Sequence, residues 1–326
     1  MKSYAVGLLL LVGFAVGLGC AGVVDQPADN VQTHIAAAKA AAGQEHKGLF
    51  DRVCTFETEQ PAASQSKGPP DRSKWHADPV KVFDNLYFVG QTEYSAWAVT
   101  TSDGIIVVDA LWDYSVEDEV VNGLKKLGLD PAKIKYVLVS HGHIDHAGGA
   151  KLLQDRFGAR VILSAVDWDL LDRNKQSWPK PKRDMVATDG QRLTLGDTTL
   201  TLYLTPGHTP GTISTLIPVK DSGKPHLVAE WGGTAFNFTI TPDKPRKYWF
   251  ETYINSAERF RDVVAKAGAD VLIANHTNFD GSKTKLPALA KRKPGDPHPY
   301  VIGNESIKRY LTVAQECAKA GLLGLE

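Results

Sequence analysis

The sequence is poor in cysteine and has no net charge. Its 326 residues include three cysteines, and 37 lysines and arginines are balanced by 37 aspartates and glutamates. Three cysteines so far apart in the chain exclude a zinc–thiolate cluster, which needs several thiolates close together. The charge balance gives no electrostatic reason to expect nucleic acid as a partner. We therefore expect a small-molecule substrate and no obligate protein partner.

The N-terminus lacks an apolar run long enough to span a bilayer. The stretch from Val6 to Gly19 has about 14 residues, whereas a membrane-spanning helix needs about 20. With Lys2 ahead of it, this stretch makes residues 1–20 an expected export signal, cleaved near Ala21 or processed as a lipoprotein at Cys20. We expect a periplasmic or secreted protein, anchored to the membrane by lipid if Cys20 is modified.

Residues 21–75 are expected to form an N-terminal arm and linker ahead of a main domain at 76–326. The alanine-rich part, 31–48, has high helix propensity, and the prolines, serines and glycine of 58–74 are typical of a linker. Cys54 in the arm and Cys317 near the C-terminus would pair as a disulfide in an oxidising compartment, or remain two buried thiols.

Beyond Trp75, strand patterns alternate with helix patterns in both halves of the chain. Helices are predicted at 115–127, 150–157, 255–267 and 305–320. Strands are predicted at 80–83, 86–89, 96–100, 105–109, 136–140, 160–163, 185–187, 191–195, 200–204, 213–218, 227–230 and 271–274. This alternation predicts an α/β (α+β) fold built from stacked layers of sheet and helix.

Four side chains able to bind a metal crowd the end of the strand at 136–140. They are His141, His143, Asp145 and His146, and Gly148 and Gly149 follow them. Residues two apart in an extended chain point the same way, so His141 and His143 can reach one metal. Asp145 and His146 lie further round the turn and can face a second one. Packing alone gives no reason to gather four such groups.

Two further histidines follow predicted strands. His208 lies in the segment Thr205-Pro206-Gly207-His208-Thr209-Pro210-Gly211, and His276 comes directly after the strand at 271–274. Loops at strand ends are where catalytic groups collect in layered α/β folds. Both histidines are therefore candidate metal ligands.

The order His-x-His-x-Asp-His, then Gly-His-Thr-x-Gly, then a late histidine, resembles the metallo-β-lactamase superfamily over about residues 76–326. The resemblance implies a four-layer αβ/βα sandwich with two zinc ions at one edge of its packed sheets. It implies a first zinc on His141, His143 and His208. It implies a second zinc on Asp145, His146 and His276.

Many members of this superfamily bridge their metals with an aspartate in a segment that corresponds here to 231–236, where Gly233 takes its place. The absence of that carboxylate resembles the lactamase subclass with an all-histidine first site and an Asp-His-His second site. The serines that help to hold the β-lactam carboxylate in that subclass have no clear counterpart. Thr234 is the nearest hydroxyl, Trp231 is a candidate pocket residue, and Asn237 is a candidate oxyanion donor or a turn residue.

The resemblance implies an exported hydrolase that cleaves a β-lactam amide with a hydroxide held by the zinc ions, whose charge lowers the pKa of the shared water. Asp145 is then a ligand that orients the hydroxide, and Asp109, at a strand end, is expected to accept a hydrogen bond from a ligand histidine. The alternatives are a hydrolase of a lactone, ester or thioester, an iron-dependent sulfur dioxygenase, and a non-catalytic periplasmic zinc-binding protein.

Overall fold

The structure, a computed structural model, describes residues 1–2, 29–54 and 69–325. The apolar stretch of the expected export signal, with the lipidation candidate Cys20, and most of the expected linker lie outside these residues. Within the described ranges, no helix combines the length and the apolar character needed to cross a membrane.

Two mixed β-sheets form the centre of the molecule. The first has seven strands in the order β1 to β7, and the second has five strands in the order β12-β11-β10-β9-β8. The first sheet consists of β1 (Val80–Lys81), β2 (Leu86–Phe88), β3 (Trp97–Thr101), β4 (Gly104–Val108), β5 (Ile134–Leu138), β6 (Arg160–Ser164) and β7 (Met185–Ala187). The second consists of β8 (Gln191–Leu195), β9 (Thr198–Leu204), β10 (Ile213–Asp221), β11 (Lys224–Trp231) and β12 (Val271–Ala274).

Helices cover the outer face of each sheet. A π-helical turn (Glu117–Val121) leads into α3 (Asn122–Lys126), and α4 (Ile144–Ala147), α5 (Ala150–Phe157) and α6 (Ala165–Arg173) also lie on the side of the first sheet. On the side of the second sheet lie α1 (Val31–Ala42), α2 (Lys47–Val53), α7 (Arg246–Ala267) and α9 (Asn304–Leu323). The short helix α8 (Ser282–Ala290) packs its leucines against the residues between the sheets.

Side-chain alternation along the strands produces three separate apolar interfaces. In β4, Ile105 and Val107 face the helices of the first sheet, whereas Ile106 and Val108 face the other sheet. The alternation follows from the two-residue period of an extended chain, which sends neighbouring side chains to opposite faces. Three interfaces between four layers confirm the predicted αβ/βα sandwich.

The N-terminal segment 29–54 is part of this core, although the sequence indicates an arm outside the main domain. Ala38, Leu49 and Val53 are buried in the same apolar cluster as α7 and α9. Cys54 forms a disulfide with Cys317 of α9 across 263 residues of sequence. Helices α1 and α2 therefore belong to the helical layer that covers the second sheet. The alternative prediction of two buried free thiols is wrong, because these cysteines form a disulfide.

Some helices differ from the sequence prediction. Helix α7 begins at Arg246, nine residues before the predicted start at 255, and neither α6 nor α8 was predicted. Aromatic residues have modest helix propensity, so the run Tyr248-Trp249-Phe250 does not indicate a helix by itself. Burial of Phe250 and Tyr253 against the second sheet determines the helical structure there.

Candidate metal centre

The ends of five strands bring the candidate side chains to one edge of the two sheets. Asp109 follows β4, His141 follows β5, His208 follows β9, Gly232 follows β11 and His276 follows β12. Strand ends provide fixed starting points for loops, so side chains far apart in sequence meet here. The predicted ligands form two groups whose potential ligand atoms lie within 4.8 Å of one another, His141–His143–His208 and Asp145–His146–His276.

The first group consists of three imidazoles, and backbone carbonyls fix the orientation of two of them. The Nδ1 atom of His141 lies 2.9 Å from the carbonyl oxygen of Gly232, and that of His208 lies 2.5 Å from the carbonyl oxygen of Ala235. A carbonyl oxygen only accepts, so each Nδ1 carries the proton and each Nε2 presents a lone pair. The ring of His143 lies 4.8 Å from that of His141 and 4.9 Å from that of His208.

These lone pairs point at each other. The Nε2 atoms of His141 and His208 are 3.1 Å apart, and neither has a proton to share because both protons are on Nδ1. Burial, together with the neighbouring imidazoles, holds the pKa of both histidines well below the ordinary value, so neither gains a second proton. Facing lone pairs repel unless a cation lies between them. The donor set therefore fits a metal ion.

The second group combines a carboxylate with two imidazoles. The Nε2 atom of His146 lies 3.2 Å from Asp145 Oδ2 and 3.2 Å from His276 Nε2, and the last two atoms are 3.6 Å apart. Burial and the neighbouring His146 lower the pKa of His276 to about 3, and Arg52 contributes to this lowering. The rings of His141 and His146 are 4.3 Å apart, so the two groups are adjacent.

Asp109 holds His146 as predicted for a residue that orients a ligand. Its Oδ2 lies 2.9 Å from His146 Nδ1, and Ser140 donates to the same carboxylate through its backbone N–H at 2.7 Å and its hydroxyl at 2.9 Å. Asp109 has a φ of 60°, a left-handed conformation that aspartate adopts more readily than most residues. The carboxylate of Asp109 thus connects the end of β4 to the loop 140–146.

Negative charge surrounds His146. Burial lowers the pKa of this imidazole, but the carboxylates of Asp145 and Asp109 outweigh it and raise the pKa to about 10. Burial also opposes ionisation of Asp145, yet the charge and hydrogen bond of His146 bring its pKa below the ordinary value. The charges of Asp145 and Asp109 therefore make the second group favourable for a bound cation.

Close backbone approach explains two glycines of the centre. A Cβ atom at Gly149 would lie 2.2 Å from the carbonyl oxygen of Ala110, so the turn after His146 packs against the loop after β4 only with glycine. A Cβ atom at Gly233 would lie 2.7 Å from the Cβ atom of His208. Any side chain at position 233, including a bridging aspartate, would require His208 to move.

Asp167 connects the two loops of the first group, and the sequence did not indicate this. Its Oδ2 atom accepts from the backbone N–H of Gly142 at 2.8 Å and from the hydroxyl of Thr209 at 2.7 Å. Gly142 lies between His141 and His143, and Thr209 follows His208. In the sequence, Asp167 has only the spacing of a helix cap, since its N–H donates to Ser164 at the start of α6.

A cavity of about 590 Å³ opens over the two groups. Its wall includes His143, Asp145, His208 and His276, so both groups are reached from it. The other described residues of its wall are Gly48, Asp51, Arg52, Glu93, Tyr94, Thr234, Ala235, Asn237, Asn275, Asn278 and Phe279.

The predicted substrate residues differ in their positions. Asn237 is exposed and lines the cavity, and Thr234 lines it from a buried position. Trp231 does not line the cavity: it is 1% exposed and packs on Tyr253 and Phe260 beneath the helices. The assignment of Trp231 to substrate is corrected, because alternation along β11 turns this side chain toward α7.

Tyr94 and Arg52 are among the residues of the cavity wall that the sequence patterns did not indicate. Tyr94, in the loop between β2 and β3, places its ring 5.0 Å from that of His276. Burial, with Asp145 nearby, raises the pKa of Tyr94 to about 12, so its phenol keeps its proton. Arg52 reaches the cavity from α2. No local pattern marks either residue, since each lies far from the ligands in sequence.

Known proteins resemble this chain in sequence and in structure. Residues 89–221 match the family model of the metallo-β-lactamase superfamily. An N-acyl homoserine lactonase of Azorhizobium caulinodans is 34% identical over 197 residues, which cover 56% of this chain and 73% of the relative. An N-acyl homoserine lactonase of Bacillus sp is 29% identical over 155 residues, which cover 46% of this chain and 59% of that relative.

Solved structures of β-lactamases are similar to a larger part of the chain. The subclass B3 metallo-β-lactamase of Bradyrhizobium japonicum is 31% identical with a TM-score of 0.61, over 74% of this chain and 93% of that one. A metallo-β-lactamase from Legionella gormanii is 26% identical with a TM-score of 0.63, over 72% and 91% of the two chains. With both ligand groups in place, the chain belongs to the metallo-β-lactamase superfamily and is a metallo-hydrolase.

Proposed function

We propose that this protein is a dinuclear zinc hydrolase that opens the cyclic amide of β-lactams. The observation that carries the proposal is the pair of ligand groups, one of three histidines and one of Asp-His-His, without a carboxylate at Gly233. This is the ligand pattern expected for the lactamase subclass named above. The similarity to solved subclass B3 enzymes supports it.

Zinc suits these donors because it accepts neutral imidazole nitrogen and carboxylate oxygen. Zinc ions held there would polarise the scissile carbonyl and lower the pKa of a coordinated water. Asp145, a carboxylate at the cavity wall, accepts a hydrogen bond from the attacking water and orients it. Asn237 presents an exposed side-chain amide that donates to the carbonyl oxygen as negative charge develops there.

Tyr94 adds a second donor at the other ligand group. Its phenol is neutral at working pH, and its ring lies beside His276. A neutral phenol can donate a proton or a hydrogen bond to the group that leaves. The cavity wall therefore offers two donors, Asn237 and Tyr94, for an acyl-transfer reaction.

Lactone hydrolysis is the second candidate function, and the sequence relatives favour it. Both relatives named above are N-acyl homoserine lactonases, one at 34% identity. A lactone and a β-lactam each present a cyclic acyl group, so the same metal centre can attack either. The rest of the cavity wall decides between the two substrates. It must accommodate the long neutral acyl chain of an acyl-homoserine lactone or the small charged ring system of a β-lactam.

The test is metal quantification on the purified protein, followed by rates on two substrate panels. We expect about two zinc ions per chain and higher kcat/KM for a chromogenic cephalosporin than for any acyl-homoserine lactone. A higher kcat/KM for the lactones would assign the second function. Full zinc occupancy with no turnover of either panel, nor of an ester or thioester, would make the protein a non-catalytic zinc binder.

We also propose that the protein is exported to the periplasm or secreted. The Cys54–Cys317 disulfide supports this, because structural disulfides persist mainly in oxidising compartments. Mass spectrometry of the mature N-terminus distinguishes cleavage near Ala21 from lipidation at Cys20. An intact N-terminus on a protein found in the cytoplasm would contradict export.

A further inference from the structure

Helix α2 carries Arg52 to the cavity, and three contacts fix that helix. Before its first turn, His46 Nε2 lies 2.9 Å from the carbonyl oxygen of Ser306. In its first turn, Gly48 approaches the loop after His276 so closely that a Cβ atom would lie 2.8 Å from the carbonyl oxygen of Asn278. After its last turn, Cys54 is bonded to Cys317. The position of residue 52 at the cavity is therefore set by the fold.

Arg52 is the only lysine or arginine among the described residues that line the cavity. Two of the three acidic residues of the same wall already pair with lysines: Glu93 pairs with Lys283, and Asp51 pairs with Lys47. Arg52 itself is exposed, and it forms no ion pair with any residue of 29–54 or 69–325. An arginine facing a catalytic cavity without a carboxylate partner leaves its fork of N–H donors available to a ligand.

The chemistry of that ligand follows from the charges around it. A guanidinium binds a carboxylate through two parallel hydrogen bonds. The cavity wall also carries Asp51, Glu93 and Asp145, which would repel a dianion more strongly than a monoanion. One arginine among three carboxylates therefore matches a single carboxylate of a substrate.

We propose that Arg52 is the residue that binds the carboxylate of an anionic acyl substrate. This rests on the proposed function, in that the reacting acyl group occupies the metal centre while Arg52 holds the negative end. Arg52 thereby fills the role for which the sequence offered no clear serine. It also separates the two candidate functions, because an acyl-homoserine lactone has no carboxylate to pair with it.

The experiment compares a chromogenic cephalosporin as the free acid with its carboxylate methyl ester. Wild type, Arg52→Ala and Arg52→Lys are measured as zinc-loaded full-length protein, with Arg192→Ala as the control. Arg192 is exposed on β8 and does not line the cavity. Zinc content and thermal melting establish that each variant is folded and loaded.

For Arg52→Ala we expect KM for the acid to rise about ten- to a hundredfold, the value of a lost charged hydrogen-bond pair, with little change in kcat. KM for the ester should stay within about twofold in every protein, and Arg52→Lys should restore part of the loss because it keeps the charge. Equal KM values for the acid in wild type and Arg52→Ala, or equal losses for acid and ester, would overturn the assignment while leaving the hydrolase intact.

If the protein does not hydrolyse β-lactams, the same compounds still test Arg52 through their binding. If wild type turns over neither compound, the dissociation constants of the acid and the ester are measured directly by tryptophan fluorescence. Tighter binding of the acid that disappears in Arg52→Ala would then support Arg52 as the anion site and overturn hydrolysis of this substrate. Equal binding of both compounds by both proteins would overturn the Arg52 assignment as well.

Discussion

Replacing Asp167 by alanine removes the acceptor that connects the two loops of the first ligand group. The backbone N–H of Gly142 and the hydroxyl of Thr209 both donate to its Oδ2 atom, and all three residues are buried or nearly so. A buried donor left without a partner costs about 1–3 kcal/mol, so two donors cost about 2–6 kcal/mol. That is a large fraction of the about 5–15 kcal/mol that stabilises a typical protein.

Asparagine at the same position is the matched control. Its side-chain oxygen can take the place of Oδ2 and accept both bonds, while its NH₂ group replaces Oδ1, which among the described residues has no side-chain partner and lies near the backbone N–H of Gly211. At about pH 4, where the folded protein keeps Asp167 protonated, we therefore expect Asp167→Asn to stay within about 1 kcal/mol of wild type. Asp167→Ala should also weaken zinc binding about 10–100-fold, since His141, His143 and His208 lose a common support.

The pH dependence of stability gives an independent readout. Burial raises the pKa of Asp167 to about 6 in the folded protein, above its ordinary unfolded value of about 3.9. Between these two values the folded state binds more protons than the unfolded state, so stability falls as pH rises from about 4 to about 6. Asp167→Asn should lack this part of the slope, because its amide does not titrate.

The assay is urea unfolding of metal-free protein across pH 4–8, together with zinc affinity by competition with a chelator. Two results would refute the reasoning. One is an alanine variant as stable as wild type with unchanged zinc affinity. The other is an asparagine variant as damaged as the alanine variant, which would show that the charge of Asp167 matters and the position of its oxygen does not.

Three further predictions concern the metal centre and the N-terminal segment. His208→Ala should lose the metal of the first group and abolish turnover; unchanged zinc content with retained activity would exclude His208 as a ligand. Gly233→Ala should displace His208 and lower the zinc content, because the new methyl group would lie 2.7 Å from the Cβ atom of His208. In the control, Gly123→Ala, the methyl group lies at ordinary contact distances of 3.4–3.7 Å, and this variant should bind zinc normally. The pair Cys54→Ala and Cys317→Ala should lower the free energy of unfolding by about 2–5 kcal/mol and raise KM for a carboxylate substrate, since α2 loses its anchor; an unchanged melting temperature under non-reducing conditions would contradict this.

The sequence alone determined the ligands and most of the strands that present them. The segment His141–His146 is recognisable because four metal-binding side chains crowd one turn, and His208 and His276 each follow an apolar strand. These patterns depend on residues close together in the chain, and two-residue alternation is a local property of an extended backbone. The predicted sandwich and the predicted ligand groups were therefore confirmed.

Tertiary structure decided what the local patterns leave open. Trp231 lies on a strand with apolar residues on both faces, and only the packing of α7 shows which of the two faces is covered by helices. Arg52 and Asp167 reach the site from segments that carry no metal-binding pattern. Residues 29–54 look like an arm because their short apolar stripe has no visible partner until α9, more than 250 residues later, folds beside them. Contacts between such distant segments depend on how the layers pack, which no window of neighbouring residues records.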